Sequence, residues 1–181
     1  MKITISGMPG SGKSTIAKEV AKRLGLKHYS AGDFQRELAK EHRMSIEEWG
    51  EKEKKDKKYD LMVDEKTKEF GKKENNFVMD GWISAHFIPD SIKIFLDVNI
   101  DEAVRRRLNH RRKEESFETA EQARKSLVNR EETNRKRWLE FYHYDYSDKK
   151  NYDIYLDTTN LNIREVTGKV LEEIKKWNKK D

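Results

Sequence analysis

Nine residues near the start of the chain, GMPGSGKST from Gly7 to Thr15, restrict its fold more than anything that follows. Gly7, four further residues, then Gly12, Lys13 and Ser14 complete the phosphate-loop pattern. That pattern works only between a strand and a helix, and both are legible. Ile3 and Ile5 belong to a short apolar opening, while Ile16, Val20 and Leu24 recur at helical spacing until Gly25 supplies a stop. In the stretch Met8, Pro9, Gly10, Ser11, glycines let successive backbone N–H groups turn inward around phosphate oxygens, and the following helix adds the positive end of its dipole. In such a loop Lys13 bridges the terminal phosphates, and the Ser14 hydroxyl is placed to ligate Mg²⁺. A glycine-rich turn with an exposed lysine is the alternative, and the strand before and helix after speak against it.

Further strands are expected at FVMD (77–80), IKIFLDV (92–98) and YDIYLDT (152–158), separated by longer charged stretches that read as helices over 33–43, 59–73, 100–113, 119–142 and 163–178. Asp33 and Thr119 are the expected N-caps. Strands alternating with helices predict an α/β fold with a central parallel sheet flanked by helices. A chain of 181 residues with 34% hydrophobic content and no Pro/Ser-rich linker fits one domain.

Composition excludes more than it selects. Without cysteine there are no disulfides, thiolate nucleophiles or Cys-ligated metals. Lys and Arg number 39 against 34 Asp and Glu, so most charge is mixed, as on a solvated surface. No apolar run approaches the length needed to cross a bilayer, and a cytoplasmic, soluble monomer without membrane partners is expected. EKEKKDKKYD (51–60) reads as a solvated helix end or loop with no function. His110 and His143 lack zinc-site spacing.

Other residues suit an acceptor. In SAGDFQRE (30–37), Asp33 and Arg36 stand three apart on one helical face beside Ser30 and Gly32. Arginine offers planar, bidentate hydrogen bonds that suit a monophosphate, although such a pair is equally a surface ion pair. Asp80 ends the strand FVMD, where a carboxylate beside a phosphate loop holds Mg²⁺ or its waters, or else caps the turn at Gly81. Arg107 and Arg111 share one helical face, and Arg130 and Arg137 another; both pairs are able to line an anionic cavity or to pair with neighbouring glutamates. The aromatic run WLEFYHYDYSD (138–148) suggests core packing at a helix end ahead of nucleic-acid stacking.

Taken together, GMPGSGKST, AGDFQR and DGW resemble the donor-phosphate loop, the Gly-Asp-x-x-Arg acceptor motif and the acidic-Gly pair of the nucleoside-monophosphate kinases, in the same order. SAGDFQRELAKEHRMSIEEWG, NREETNRKRWLEFYHYDYSD and the closing YDIYLDTTNLNIREVTGKVLEEI look most like archaeal cytidylate kinases, over nearly the whole chain. The resemblance implies one P-loop kinase domain over 1–181, with an acceptor-binding segment at about 30–75 and a lid within about 109–130. It also implies ATP and Mg²⁺, with CMP or dCMP as acceptor. ATP would meet residues 7–15, Arg107 and Arg111. The acceptor would meet Ser30, Gly32, Asp33, Arg36, Gly81, Trp82, Arg130, Arg137 and, as an alternative, Arg135. Lys13, Asp80, Arg130 and Arg137 would carry catalysis, with Ser14 and Asp80 on the metal, the latter through water. Trp82 is a departure, because many cytidylate kinases carry an arginine after the acidic-Gly pair. Two rival readings follow: a kinase of the same fold acting on AMP, UMP or another small molecule, and an RNA-associated P-loop ATPase.

Overall fold

The computed structural model describes residues 1–109 and 117–177. Five strands, β1 (Lys2–Gly7), β2 (Lys27–Ser30), β3 (Phe77–Asp80), β4 (Ile92–Asp97) and β5 (Ile154–Asp157), form one parallel sheet in the order β2-β3-β1-β4-β5. Around it lie α1 (Lys13–Leu24), α2 (Ala31–Glu41), α3 (Ile46–Lys55), α4 (Lys57–Lys73), α5 (Ser84–Phe87), α6 (Ile100–Asn109), α7 (Ala120–Tyr142) and α8 (Ile163–Trp177). The α/β architecture is the one the sequence pattern predicts, with β2, α3 and α5 in addition.

Strand alternation sorts the core. Ile3, Ile5, Ile94 and Leu96 point to one face, where Ile16 and Val20 of α1 and Val166, Val170 and Ile174 of α8 cover them. Phe95 points to the other face and meets Trp138 and Tyr146. The aromatic run after residue 137 is therefore core at the end of α7, as expected; Trp138 is 5% and Tyr146 0% exposed.

Two expectations are corrected, the second in part. Ser30, not Asp33, is the N-cap of α2, and Asp33 falls in the first turn, close to the positive end of the helix dipole. Residues 51–60 are for the most part the solvated helix end expected, finishing α3 and beginning α4 around Asp56, whose side chain accepts from the Lys58 N–H, but Glu53 and Asp60 depart from that reading and are buried. Thr119 caps α7 as expected, accepting from the Gln122 N–H at 3.2 Å.

β1 lies between β3 and β4, so the chain leaves it toward opposite edges of the sheet. In an open parallel sheet such a switch point leaves a crevice at the carboxyl ends of the strands. The phosphate-loop residues follow β1 directly into that crevice.

Candidate active site

The turn from β1 into α1 is fixed by backbone geometry. The Met8 N–H donates to the Leu96 carbonyl at 3.1 Å and the Ser11 N–H to the Met8 carbonyl at 3.1 Å. Gly12 caps α1 at φ 84, a left-handed conformation that costs a residue with a Cβ about 1 kcal/mol or more. The loop is thereby held open at the N-terminus of α1, with Gly12 and Thr15 exposed and Lys13 and Ser14 half-buried.

Lys13 folds back over its own loop. Its Nζ donates to the Met8 carbonyl at 3.4 Å and stands 4.9 Å from the centroid of the Trp82 ring. The Arg130 guanidinium approaches the same ring at 5.6 Å. Trp82 is held in turn by Trp138 at 5.5 Å and Tyr146 at 5.4 Å between centroids. It thus packs on the aromatic core and offers its indole to two cations, each worth about 0.5–2 kcal/mol by cation–π attraction.

Asp80 is the polar centre of the donor side. At 3% exposure, its Oδ2 accepts from Ser14 Oγ at 2.6 Å and Ser30 Oγ at 3.2 Å, while His28 Nε2 lies 2.6 Å from Oδ1. Burial pushes this carboxyl up, but the His28 and Ser14 hydrogen bonds and the His28 and Lys13 charges outweigh it, so Asp80 stays below the usual carboxylate range. His28 belongs to no sequence motif; only the position of β2 reveals it.

The acceptor-side residues divide. Arg36 and Asp33 form an exposed ion pair at 2.6 Å, with Gly32 beneath the guanidinium. Gly81 lets the end of β3 approach the start of α2, since a Cβ there would lie 2.1 Å from Ser84 Oγ and 2.9 Å from Ala31 Cβ. Arg137 reaches Asp60 at 3.3 Å and donates to Asn134 Oδ1 at 3.1 Å. Arg135 is instead engaged by Asp145, with its closest nitrogen at 2.6 Å.

Around Arg137 lies a set of buried acids that the sequence reading does not anticipate. Glu53 accepts from Gln35 at 2.7 Å and Trp49 Nε1 at 2.9 Å, and burial raises it above the usual range. Burial also drives Asp60 up to about 7 against the pull of Arg137, and Asp64, which accepts from the Tyr142 hydroxyl, up to about 6. Asp60 Oδ2 accepts no hydrogen bond among the described residues.

On α6, Arg107 is half-buried, but its neighbour Arg106 is the anchoring residue. Arg106 pairs with Glu102 at 2.8 Å and donates to the carbonyls of Ser11, at 3.3 Å, and Leu161, at 3.3 Å, tying the phosphate loop to the segment after β5. Arg111 and residues 110–116 of the expected lid lie outside the described residues. Among the described residues no group of three or more His, Asp or Glu is arranged to hold a metal ion, and no helix is long and apolar enough to cross a membrane.

A phosphate loop at the switch point of a five-stranded parallel sheet, with a lysine, a hydroxyl and a strand-end aspartate converging beside it, defines a P-loop kinase. Comparison with known proteins agrees and narrows the class. The shikimate kinase of Bacteroides thetaiotaomicron shares the fold, with a TM-score of 0.66 at 16% identity over 97% of this chain and 98% of its own. The chain belongs to the cytidylate kinase-like family, whose model matches residues 2–160. It is similar to the cytidylate kinase of Archaeoglobus fulgidus, 34% identical over 97% of both chains. It is also similar to part of an S-adenosylmethionine-dependent nucleotide dehydratase of Lacinutrix mariniflava, 32% identical over 98% of this chain but 36% of that protein. The chain is an ATP-dependent nucleotide kinase.

Proposed function

We propose that this kinase transfers the γ-phosphoryl group of ATP to CMP or dCMP, giving ADP and the cytidine diphosphate. The observation that carries the reading is the join between the two sides: Lys13 of the donor loop and Arg130 of α7 meet over the same Trp82 ring. Family membership and the similarity to a cytidylate kinase support the choice of acceptor.

Phosphoryl transfer needs positioning and positive charge more than covalent chemistry. Residues 7–15 would cradle the ATP phosphates, with Lys13 drawn from the Trp82 face onto the terminal oxygens. Arg107 and Arg111 would approach from the lid. Arg36, Arg130 and Arg137 would hold the acceptor monophosphate, beside Ser30, Gly32, Asp33, Gly81 and Trp82. In that arrangement Arg36 exchanges Asp33, and Arg137 exchanges Asp60, for the anionic ligand. Arg135, on Asp145, is the weaker candidate.

The donor set also suits Mg²⁺. Ser14 Oγ and the ionised Asp80 carboxylate, 2.6 Å apart, are hard oxygen donors, and an ion that keeps several waters needs few protein ligands when substrate phosphates supply the rest. Ser14 would ligate directly and Asp80 through water. When bound there, Mg²⁺ supplies charge neutralisation of the phosphate oxygens. Asp80, kept ionised by its donors, would hold that side of the site negative and ordered.

We place the activity in one domain over 1–181, with the acceptor segment at about 30–75 and the lid within about 109–130, acting on free nucleotides as a cytoplasmic monomer. Against the RNA-associated alternative, Trp138 and Tyr146 of the aromatic run are buried and present no stacking face. The test is ADP release with Mg²⁺ and CMP, dCMP, UMP, AMP or GMP offered separately. A kcat/KM for CMP or dCMP at least about tenfold above the others is expected; equal or better use of another monophosphate overturns the acceptor.

A further inference from the structure

Asp80 ends β3, and the parallel register sets Ser30 beside it and His28 beside Val78, two residues earlier. Side chains two apart on a strand leave the same face. His28, Ser30 and Asp80 therefore project together, and the first turn of α1 brings Ser14 to the same point. The result is a carboxylate held at both ends, with His28 on Oδ1 at 2.6 Å and Ser14 and Ser30 on Oδ2 at 2.6 and 3.2 Å. An ionised carboxylate only accepts, so His28 Nε2 carries the proton between them. With His28 in place Asp80 is only 3% exposed, so its Oδ1 takes its hydrogen bond from the protein rather than from bulk water.

We infer that His28 is a positioning residue for the metal side of the phosphoryl-transfer site: by occupying Oδ1 it aims Oδ2 of Asp80 at Ser14. The inference rests on the reading of Ser14 and Asp80 given above. A carboxylate with a free Oδ1 can present either oxygen to Ser14 and Ser30 or rotate away from both. The angle between the Ser14 hydroxyl and the carboxylate is then no longer fixed, although neither residue has changed. Asp80, which holds the Ser14 hydroxyl and would hold a metal-bound water, is itself an outer-shell support, and loss of such outer-shell order lowers metal affinity or activity about 10–100-fold. Glutamine extends an amide N–H to about the reach of Nε2 and supplies a neutral donor, so it keeps the support; alanine removes it.

The test compares wild type, His28→Ala, His28→Gln and Asp80→Asn. Calorimetry measures ATP affinity with Mg²⁺ and in its absence, and steady-state rates give the Mg²⁺ concentration for half-maximal activity and the KM for CMP. His28→Ala is expected to raise that Mg²⁺ concentration at least about tenfold and to weaken ATP binding only when Mg²⁺ is present. The KM for CMP stays within about twofold of wild type, and His28→Gln recovers most of the loss. If His28→Ala does not fold, His28→Leu, which keeps volume without a donor, carries the same expectation. An alanine variant with normal Mg²⁺ dependence beside an altered Asp80→Asn overturns the role of His28 and leaves the metal reading standing. Normal Mg²⁺ dependence in Asp80→Asn overturns the metal reading itself. Loss of ATP affinity that is equal with and without Mg²⁺, or that glutamine fails to relieve, makes His28 a merely structural residue and overturns the inference.

Discussion

Asp80 and Asp60 are both buried carboxylates, 3% and 5% exposed, yet one is held below the ordinary carboxylate range and the other is pushed up to about 7. The difference lies in what surrounds them. Asp80 stands at a strand end, where β2 and the turn into α1 deliver His28, Ser14 and Ser30 to its two oxygens. Asp60 stands on a helix among other acids, faces Arg137 at 3.3 Å, and leaves Oδ2 without a hydrogen bond among the described residues. Burial is outweighed in the first case and wins in the second. The donor side is thus complete within its own framework, whereas the acceptor side keeps arginines and acids in partnerships that an anionic ligand is able to exchange.

Four experiments break or sharpen this contrast. The largest effect is expected at Lys13, the cation carried by the donor loop itself: Lys13→Ala should lower kcat by about 10³-fold with an unchanged far-UV spectrum. Near-normal turnover in a folded variant would remove the donor loop from the mechanism.

Asp60 gives the next largest effect, in stability. Its folded-state value of about 7 lies above the value of 3.8 expected without the fold. The folded chain keeps the proton that the unfolded chain releases, so the favourable contribution is complete below about pH 4 and is lost as pH rises through about 7. Chemical denaturation should show wild type losing on the order of 3 kcal/mol relative to Asp60→Asn between about pH 4 and pH 8. Parallel pH curves would mean that Arg137 neutralises Asp60 fully, and the two sides would no longer differ.

Arg36→Ala should raise the KM for the acceptor about tenfold while the KM for ATP stays within about twofold; an effect confined to ATP would move Arg36 to the donor side. The smallest expected change is a control remote from both acids. Thr119→Ala removes the cap of α7 and should cost about 1 kcal/mol in thermal or chemical unfolding. A loss several times larger would show that the start of α7 carries more of the fold than its cap.

The same contrast explains what was legible in the sequence. Strands β1, β3, β4 and β5 announce themselves because apolar residues fill both or one of their faces, and the donor loop because glycines and a lysine must fall at set intervals. β2 is four residues, Lys27 to Ser30, exposed or half-buried throughout, so it carries no apolar period, and His28 is hidden with it. α3 buries little besides Trp49 and Glu53; its one local signal was the capping box of Ser45 and Glu48, in which each side chain meets the other's backbone N–H. Glu53 and Asp60 looked like part of a solvated charge run, since a glutamate facing a buried tryptophan and one facing water are identical in sequence. In sequence Trp82 stands out only as a departure from the arginine expected after the acidic-Gly pair, and only tertiary structure sets Lys13 and Arg130 against its ring.

The most direct test of a donor and an acceptor meeting in one site is to follow the phosphorus resonances of ATP, CMP and Mg²⁺ in a single sample with the enzyme. Stoichiometric loss of the ATP γ resonance matched by the two resonances of CDP, and by ADP, is the predicted result. Release of inorganic phosphate at a rate indifferent to CMP would contradict the account, because the arginine side would then be receiving no acceptor.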